Sequence, residues 1–283
     1  MVQTSASPGL DFCGRVKAKH PANESFVEGQ LAFGALATAT KFPKFGSLGQ
    51  LLVAPCSQIT PLPKGVDPDG AAAVGAVGMK ALQALPGDIV KPESKVFIDG
   101  GSGGVALGAE ATTTCSTANV QLCRSLGVDK VMDYRELNLL DELKRKGQVF
   151  DLVVDNVGVP SDLHERSDLF LKPSGVFSQV AMQNSMGAMI RRSILLGCLG
   201  GGRRPLRVVR VNINSQDFEQ VGRWMADGKV HAVIDEKFEW KDAPKAYEKL
   251  RKGRTMEKLW CMSVISERGP VRVKEEERAR HVN

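Results

Sequence analysis

Aromatic side chains are scarce in this chain, 6% of 283 residues with two tyrosines, and it has four histidines. A nucleic-acid surface would interleave aromatics with clustered cations, whereas here the net charge of +6 is spread along the chain. Its two basic groups are Arg191, Arg192, Arg203 and Arg204, and a tail from Arg272 to Arg280 broken by Glu275, Glu276 and Glu277. A mixed-sign run of that kind is a solvated segment, so no nucleic-acid partner is expected. The six cysteines, Cys13, Cys56, Cys115, Cys123, Cys198 and Cys261, include no CxxC pair. His20, His164, His231 and His281 stand apart from them and from one another. Zinc-site spacing is therefore missing, and the cysteines read as reduced core thiols of an intracellular protein. No apolar run approaches the ~20 residues of a membrane span. Residues 1–8 have neither the basic start nor the apolar centre of a secretory signal. No membrane partner is expected, and the expected compartment is the cytosol, with mitochondria left open.

The chain is instead rich in alternation. Lys95-Val96-Phe97-Ile98-Asp99 is a β-branched, apolar strand that runs into Gly100-Gly101-Ser102-Gly103-Gly104-Val105. Such a run opens a dinucleotide-binding βαβ unit: glycines allow a tight turn close to a pyrophosphate, and the next helix offers it N-terminal NH groups. That helix should start near Gly103. Yet a second strand, Ala111-Thr112-Thr113-Thr114-Cys115-Ser116, follows after 105–110 alone, whereas a parallel crossover takes roughly a dozen residues or more.

Further along, the spacing predicts a helix over 119–126, a strand over 131–134, a charged helix over 137–146 and an apolar strand over 150–155. A helix over 163–171, a turn at 172–175 and a strand over 176–181 follow. Apolar strands separated by helices indicate a parallel sheet covered on both faces. The first 65 residues are β-rich, with short strands over 12–18, 30–36 and 49–54. Asp67 and Pro68 mark a helix start, and the helix ends at Pro86-Gly87. Helices over 215–227 and 242–251, extended segments at 233–234 and 237–240 and a closing strand over 258–264 complete the chain, with a disordered charged tail over 266–283.

Ten segments together resemble the medium-chain dehydrogenase/reductase superfamily, in its zinc-independent quinone oxidoreductase and enoyl reductase branch. They begin with Gly9-Leu10-Asp11-Phe12-Cys13-Gly14, 27–34, Phe45-Gly46-Ser47-Leu48, 69–84 and the glycine run. They continue with 114–120, 126–134, 150–158, Leu171-Lys172-Pro173-Ser174-Gly175 and 228–235, in family order. The resemblance implies an α/β fold: a Rossmann-type doubly wound parallel sheet over 85–210, with a smaller, incomplete GroES-like β-barrel domain from 1–84 and 211–265. It implies hydride transfer from NADPH to a quinone or to an α,β-unsaturated carbonyl, and room for a homodimer. Leu10 stands where the zinc-dependent cousins carry a metal-binding histidine, so the implied enzyme holds no metal.

In that resemblance Gly101, Ser102, Gly103, Gly104 and Val105 meet the cofactor's pyrophosphate. The end of the second strand, Cys115-Ser116-Thr117-Ala118-Asn119, lacks the Asp or Glu that holds an NAD ribose and would repel a 2′-phosphate. NADP(H) is therefore expected, with Ser116, Asn119 and Tyr134 near the phosphate. Ser116 and Asn119 would equally serve as helix N-caps. Asn156 and Gly158 match the loop beside the nicotinamide ribose, and would look the same as a plain turn. No residue presents itself as a catalytic acid. Two departures stand against turnover: eight residues precede Gly9 where the family has a longer stretch, and the first Rossmann helix lacks its residues. A non-catalytic derivative of such a reductase is the competing expectation.

Overall fold

The computed structural model describes residues 7–37, 46–85, 87, 89–101, 110–180, 203–230, 232–251 and, for the backbone, 258–262. Expectations for Pro86, for Ser102 to Ala109, for Arg191, Arg192 and Cys198, and for 266–283 fall outside these residues.

Asp11–Arg15 (β1), Leu31–Ala35 (β2) and Ile59–Pro61 (β3) form an antiparallel sheet in that order. Pro68–Ala84 (α1) starts where the capping residues predict: Asp67 accepts from the Gly70 NH at 2.8 Å and proline occupies the first turn. The helix is broken at Gly75 (φ 25°, ψ −132°), where a Cβ would collide with the Asp11 carboxyl. Asp11 Oδ1 instead accepts from the Ala76 NH at 2.7 Å and restarts the helix.

Six parallel strands follow: Lys95–Asp99 (β4), Glu110–Cys115 (β5), Lys130–Asp133 (β6), Phe150–Asp155 (β7), Leu171–Gln179 (β8) and Leu206–Val208 (β9). Their order is β6-β5-β4-β7-β8-β9. The chain builds outward from β4 to one side, then crosses to β7 and builds to the other, as in a dinucleotide-binding sheet. Val120–Ser125 (α2) joins β5 to β6, and Leu139–Lys146 (α3) joins β6 to β7. Asn138 caps α3, with acids in its first turn and Lys144, Arg145 and Lys146 in its last, which suits the helix dipole.

Both faces of this sheet are buried, as near-continuous apolar strands require. Phe97, Val153 and Phe177 are register neighbours on β4, β7 and β8 and share one core with Phe150, Leu143 and Phe170. Val96, Ile98, Leu152 and Val154 lie in a second core with Ala84 and Leu85. Ser215–Ala226 (α4) packs against α1 and the three-stranded sheet, where Phe218 meets Phe33 edge-on at 5.6 Å. Ile234–Glu239 (β10) and Lys258–Met262 (β11) form a parallel pair linked through Ala243–Arg251 (α5). Among the described residues no helix is long and apolar enough to cross a membrane.

Three expectations fail: the helix over 163–171, the turn at 172–175 and the strand over 49–54. Residues 163–171 form no α-helix: they run as tight turns with one short 3₁₀ turn, Ser167–Leu169. His164 and Ser167 are buried there, the Ser167 NH reaches back to the His164 carbonyl, and Leu171 already pairs with Phe150. Strand β8 therefore starts at Leu171, five residues before the expected 176, and its Lys-Pro-Ser-Gly sits in an irregularity where Phe150↔Leu171 gives way to Leu152↔Val176. Residues 49–54 form no strand; no partner strand lies alongside them among the described residues, and Val53 is 96% exposed. Strands β3 and β9, three residues each, were not foreseen.

Candidate cofactor site

The crevice of such a sheet lies at the carboxyl ends of the strands where the order reverses, here between β4 and β7. Two turns meet there. Gly100, at φ 74°, follows β4, and a Cβ on it would lie 2.5 Å from Val157 Cγ2. A Cβ on Gly101 would come within 2.6 Å of Thr113 Cβ. The second turn, Asn156-Val157-Gly158, follows β7, and the Asn156 NH bonds the Asp99 carbonyl at 3.2 Å.

Each turn is tied down by a carboxyl group on the strand behind it. Asp155 Oδ1 accepts from the NH groups of Val157 (3.0 Å) and Gly158 (2.6 Å). The Gly100 NH donates to Thr114 Oγ1 at 2.8 Å, and the Thr114 hydroxyl donates to Asp99 Oδ1 at 2.5 Å. Asp99, Asp155 and Gln179 are register neighbours on β4, β7 and β8, so they share a face and form a polar row one step above Phe97, Val153 and Phe177. Asp99 is 3% exposed, and its Oδ2 has no hydrogen-bond partner among the described residues.

Burial pushes the Asp99 carboxyl up to about 6 from an ordinary 3.8, with Asp155 adding to the rise and the Thr114 hydroxyl and Gly100 NH opposing it. A folded-state value above the unfolded one means the folded protein holds this proton more tightly. Its contribution to stability is then present below about pH 4 and is lost as pH rises through about 6. Asp99→Asn cannot ionise. Its urea stability relative to the wild type is expected to rise by about 2–3 kcal/mol from pH 4 to pH 7. A difference independent of pH would contradict the placement of this carboxyl.

At the outer end of the sheet, the Tyr134 NH bonds the Cys115 carbonyl at 3.2 Å, which sets Tyr134, 52% exposed, beside Ser116. Ser116 and Asn119 precede the 3₁₀ turn Thr117–Asn119 and α2 respectively, and neither side chain makes a capping hydrogen bond. Asn119 Oδ1 is buried without a partner among the described residues. The Thr117 hydroxyl and the Arg135 NH hold the Asp133 carboxyl below the usual carboxylate range. Nearby, burial and the Cys123 thiol push the Cys115 thiol up to about 12, so it is an inert core group.

The structure thus brings the Gly100 turn, which Gly101 continues, against the Asn156-Val157-Gly158 turn, and sets Tyr134 beside Ser116 at the neighbouring strand ends. Ser102, Gly103, Gly104 and Val105 fall outside the described residues. Reading the sequence missed the role of Asp99, Thr114 and Asp155. A signal was present: both β4 and β7 are apolar runs that end in aspartate directly before a turn.

An open sheet with strand order β6-β5-β4-β7-β8-β9, a reversal crevice and a left-handed glycine turn is the architecture of the dinucleotide-binding α/β folds. Residues 126–259 match the family model described as zinc-binding dehydrogenase. The trans-enoyl reductase pgmF of Aspergillus terreus is 41% identical over 280 residues, covering 92% of this chain and 78% of that protein. The quinone oxidoreductase of Coxiella burnetii superposes with a TM-score of 0.75 at 22% identity, covering 92% of this chain and 80% of that one. The Escherichia coli quinone oxidoreductase complexed with NADPH superposes with a TM-score of 0.70 at 21% identity, covering 90% and 82%. The chain belongs to the medium-chain dehydrogenase/reductase superfamily, a family of oxidoreductases. The residues described fit a nicotinamide dinucleotide: a glycine turn with no room for a Cβ, and polar side chains at the second strand's end not spent on caps.

Proposed function

We infer that this chain binds NADP(H) across the crevice and passes hydride, without zinc, to the C=C of an enone or enoyl substrate or to a quinone. The observation that carries the reading is the neutral strand end, Ser116 to Asn119, at the edge of a dinucleotide-type crevice. Ser116, Asn119 and Tyr134 would hold a 2′-phosphate by neutral donors; the second strand's end carries no carboxylate, and the Asp133 carboxylate beside it is already engaged by the Thr117 hydroxyl and the Arg135 NH. Leu10 in place of a ligand histidine supports the metal-free form. The similarity to a trans-enoyl reductase supports the substrate class. A bound nicotinamide supplies the hydride. The chain's own part is to hold the dinucleotide through 85–210, to orient it with the Gly100 and Asn156 turns, and to position the substrate. Small molecules and a second copy of the chain are its partners in this reading.

Millimolar NADPH is expected to raise the melting temperature by several degrees, since a ligand at 100 times its Kd adds ~2.7 kcal/mol. NADH should raise it less. Ser116→Ala with Asn119→Ala should cut the NADPH shift while sparing that of NADH. No shift with either dinucleotide overturns the reading. A second reading, a member of the family that does not turn over, is favoured by one observation: residues 100–109 alone join β4 to β5, fewer than the roughly dozen of a parallel crossover. Loss of NADPH absorbance on adding an enone or a quinone separates the two.

A further inference from the structure

Asp99 differs from Asp155, the other buried carboxyl in its row, in leaving one oxygen without a hydrogen-bond partner among the described residues. It ends β4, directly before the Gly100 turn, and it lies in register with Asp155 across the crevice. Thr114 Oγ1 connects it to that turn, accepting from the Gly100 NH and donating to Asp99 Oδ1. Because Oδ1 accepts the Thr114 hydroxyl, a proton on Asp99 must sit on Oδ2, the oxygen with no partner among the described residues. Asp155 already receives two NH groups, from Val157 and Gly158. Asp99 Oδ1 receives the Thr114 hydroxyl, and burial beside Asp155 favours the neutral form of Asp99.

We propose that Asp99 is a proton-dependent positioning residue for the dinucleotide: protonated, it backs the glycine turn without charge, and ionised, it repels the bound pyrophosphate. The proposal rests on the cofactor reading above and deepens it. Among the described residues, the groups that face Asp99 are Thr114 from β5, which does not titrate here, Asp155 from β7 and, one strand further in the row, Gln179 from β8. Burial and Asp155 push the carboxyl up to about 6, so without cofactor it is mostly protonated below that pH and mostly ionised at pH 7. A buried charge acts through a low-dielectric medium, so an anion bound at the turn strengthens proton binding at Asp99. Coupling is reciprocal, and cofactor binding must then take up a proton.

Calorimetric titration with NADPH at pH 7, in two buffers of different ionisation enthalpy, reads that proton. The wild type is expected to take up most of one proton, and the isosteric Asp99→Asn none. The wild-type Kd should rise up to about tenfold per pH unit from pH 6 to pH 8 relative to Asp99→Asn. The cofactor's own 2′-phosphate is common to both proteins and cancels in the comparison. Equal uptake and parallel pH profiles in the two proteins would overturn the proposal. Should the variant not fold, the wild type is titrated with NADH, which has no 2′-phosphate to oppose the trend: an affinity that holds or increases from pH 6 to pH 8 overturns the proposal. Absence of NADPH binding at every pH brings down the cofactor reading itself, a different result from binding without proton uptake.

Discussion

Replacing Phe97 by alanine is expected to remove about 3–5 kcal/mol of stability, the largest loss from any single truncation of this sheet. The side chain is 0% exposed, and its ring lies 5.6 Å from that of Phe150 and 6.4 Å from that of Phe170. It also shares the core with Val153 and Phe177, its register neighbours on β7 and β8. Removing it opens a cavity among aromatic rings held by strands on either side, which have little freedom to collapse into it. A domain has about 5–15 kcal/mol in total, so the loss takes a large share of it. The urea midpoint should fall accordingly, and the melting temperature by about 10 °C. Val53→Ala, at a side chain 96% exposed, is the matched control and should stay within about 0.5 kcal/mol of the wild type. A Phe97→Ala cost no larger than the control's would mean that β4 is not central to the sheet.

Elements whose cause is local were legible before the structure. The Asp67–Pro68 helix start and the strand over 150–155 rest on capping geometry or on a short apolar run, and those signals sit within a few residues. What failed depends on pairing. Strands β3 and β9 are three residues long and exist because a neighbour offers them a ladder. The Lys-Pro-Ser-Gly at 172–175 reads as a turn in any chain; here Leu171 pairs ahead of it and Val176 behind it, which puts the turn-forming residues inside a strand. The site divides in the same way. Glycines and neutral polar residues at strand ends are visible in the sequence. The row Asp99, Asp155 and Gln179 is not, since it appears once the register of β4, β7 and β8 sets those three residues side by side.

Gly100→Ala tests the contact between the two turns and should cost about 3–4 kcal/mol together with most NADPH binding. Two causes add. A left-handed backbone at φ 74° costs a residue with a Cβ roughly 1–2 kcal/mol. The new methyl would also lie 2.5 Å from Val157 Cγ2, and forcing the two turns apart costs about 1–3 kcal/mol. The causes can be separated, because the obstructing atom is a side-chain methyl. Val157→Ala in the Gly100→Ala background removes the collision and leaves the backbone strain. The double variant should recover the steric part, about half of the loss, and the coupling measured by the cycle should favour the pair. NADPH binding need not return with stability. A Cβ at position 100 remains beside Asn156 Cβ, 3.7 Å away, and the turn still cannot settle at its native φ. Full additivity of the two substitutions would mean that the Gly100 and Val157 turns do not touch, and the crevice would lose the contact that closes it.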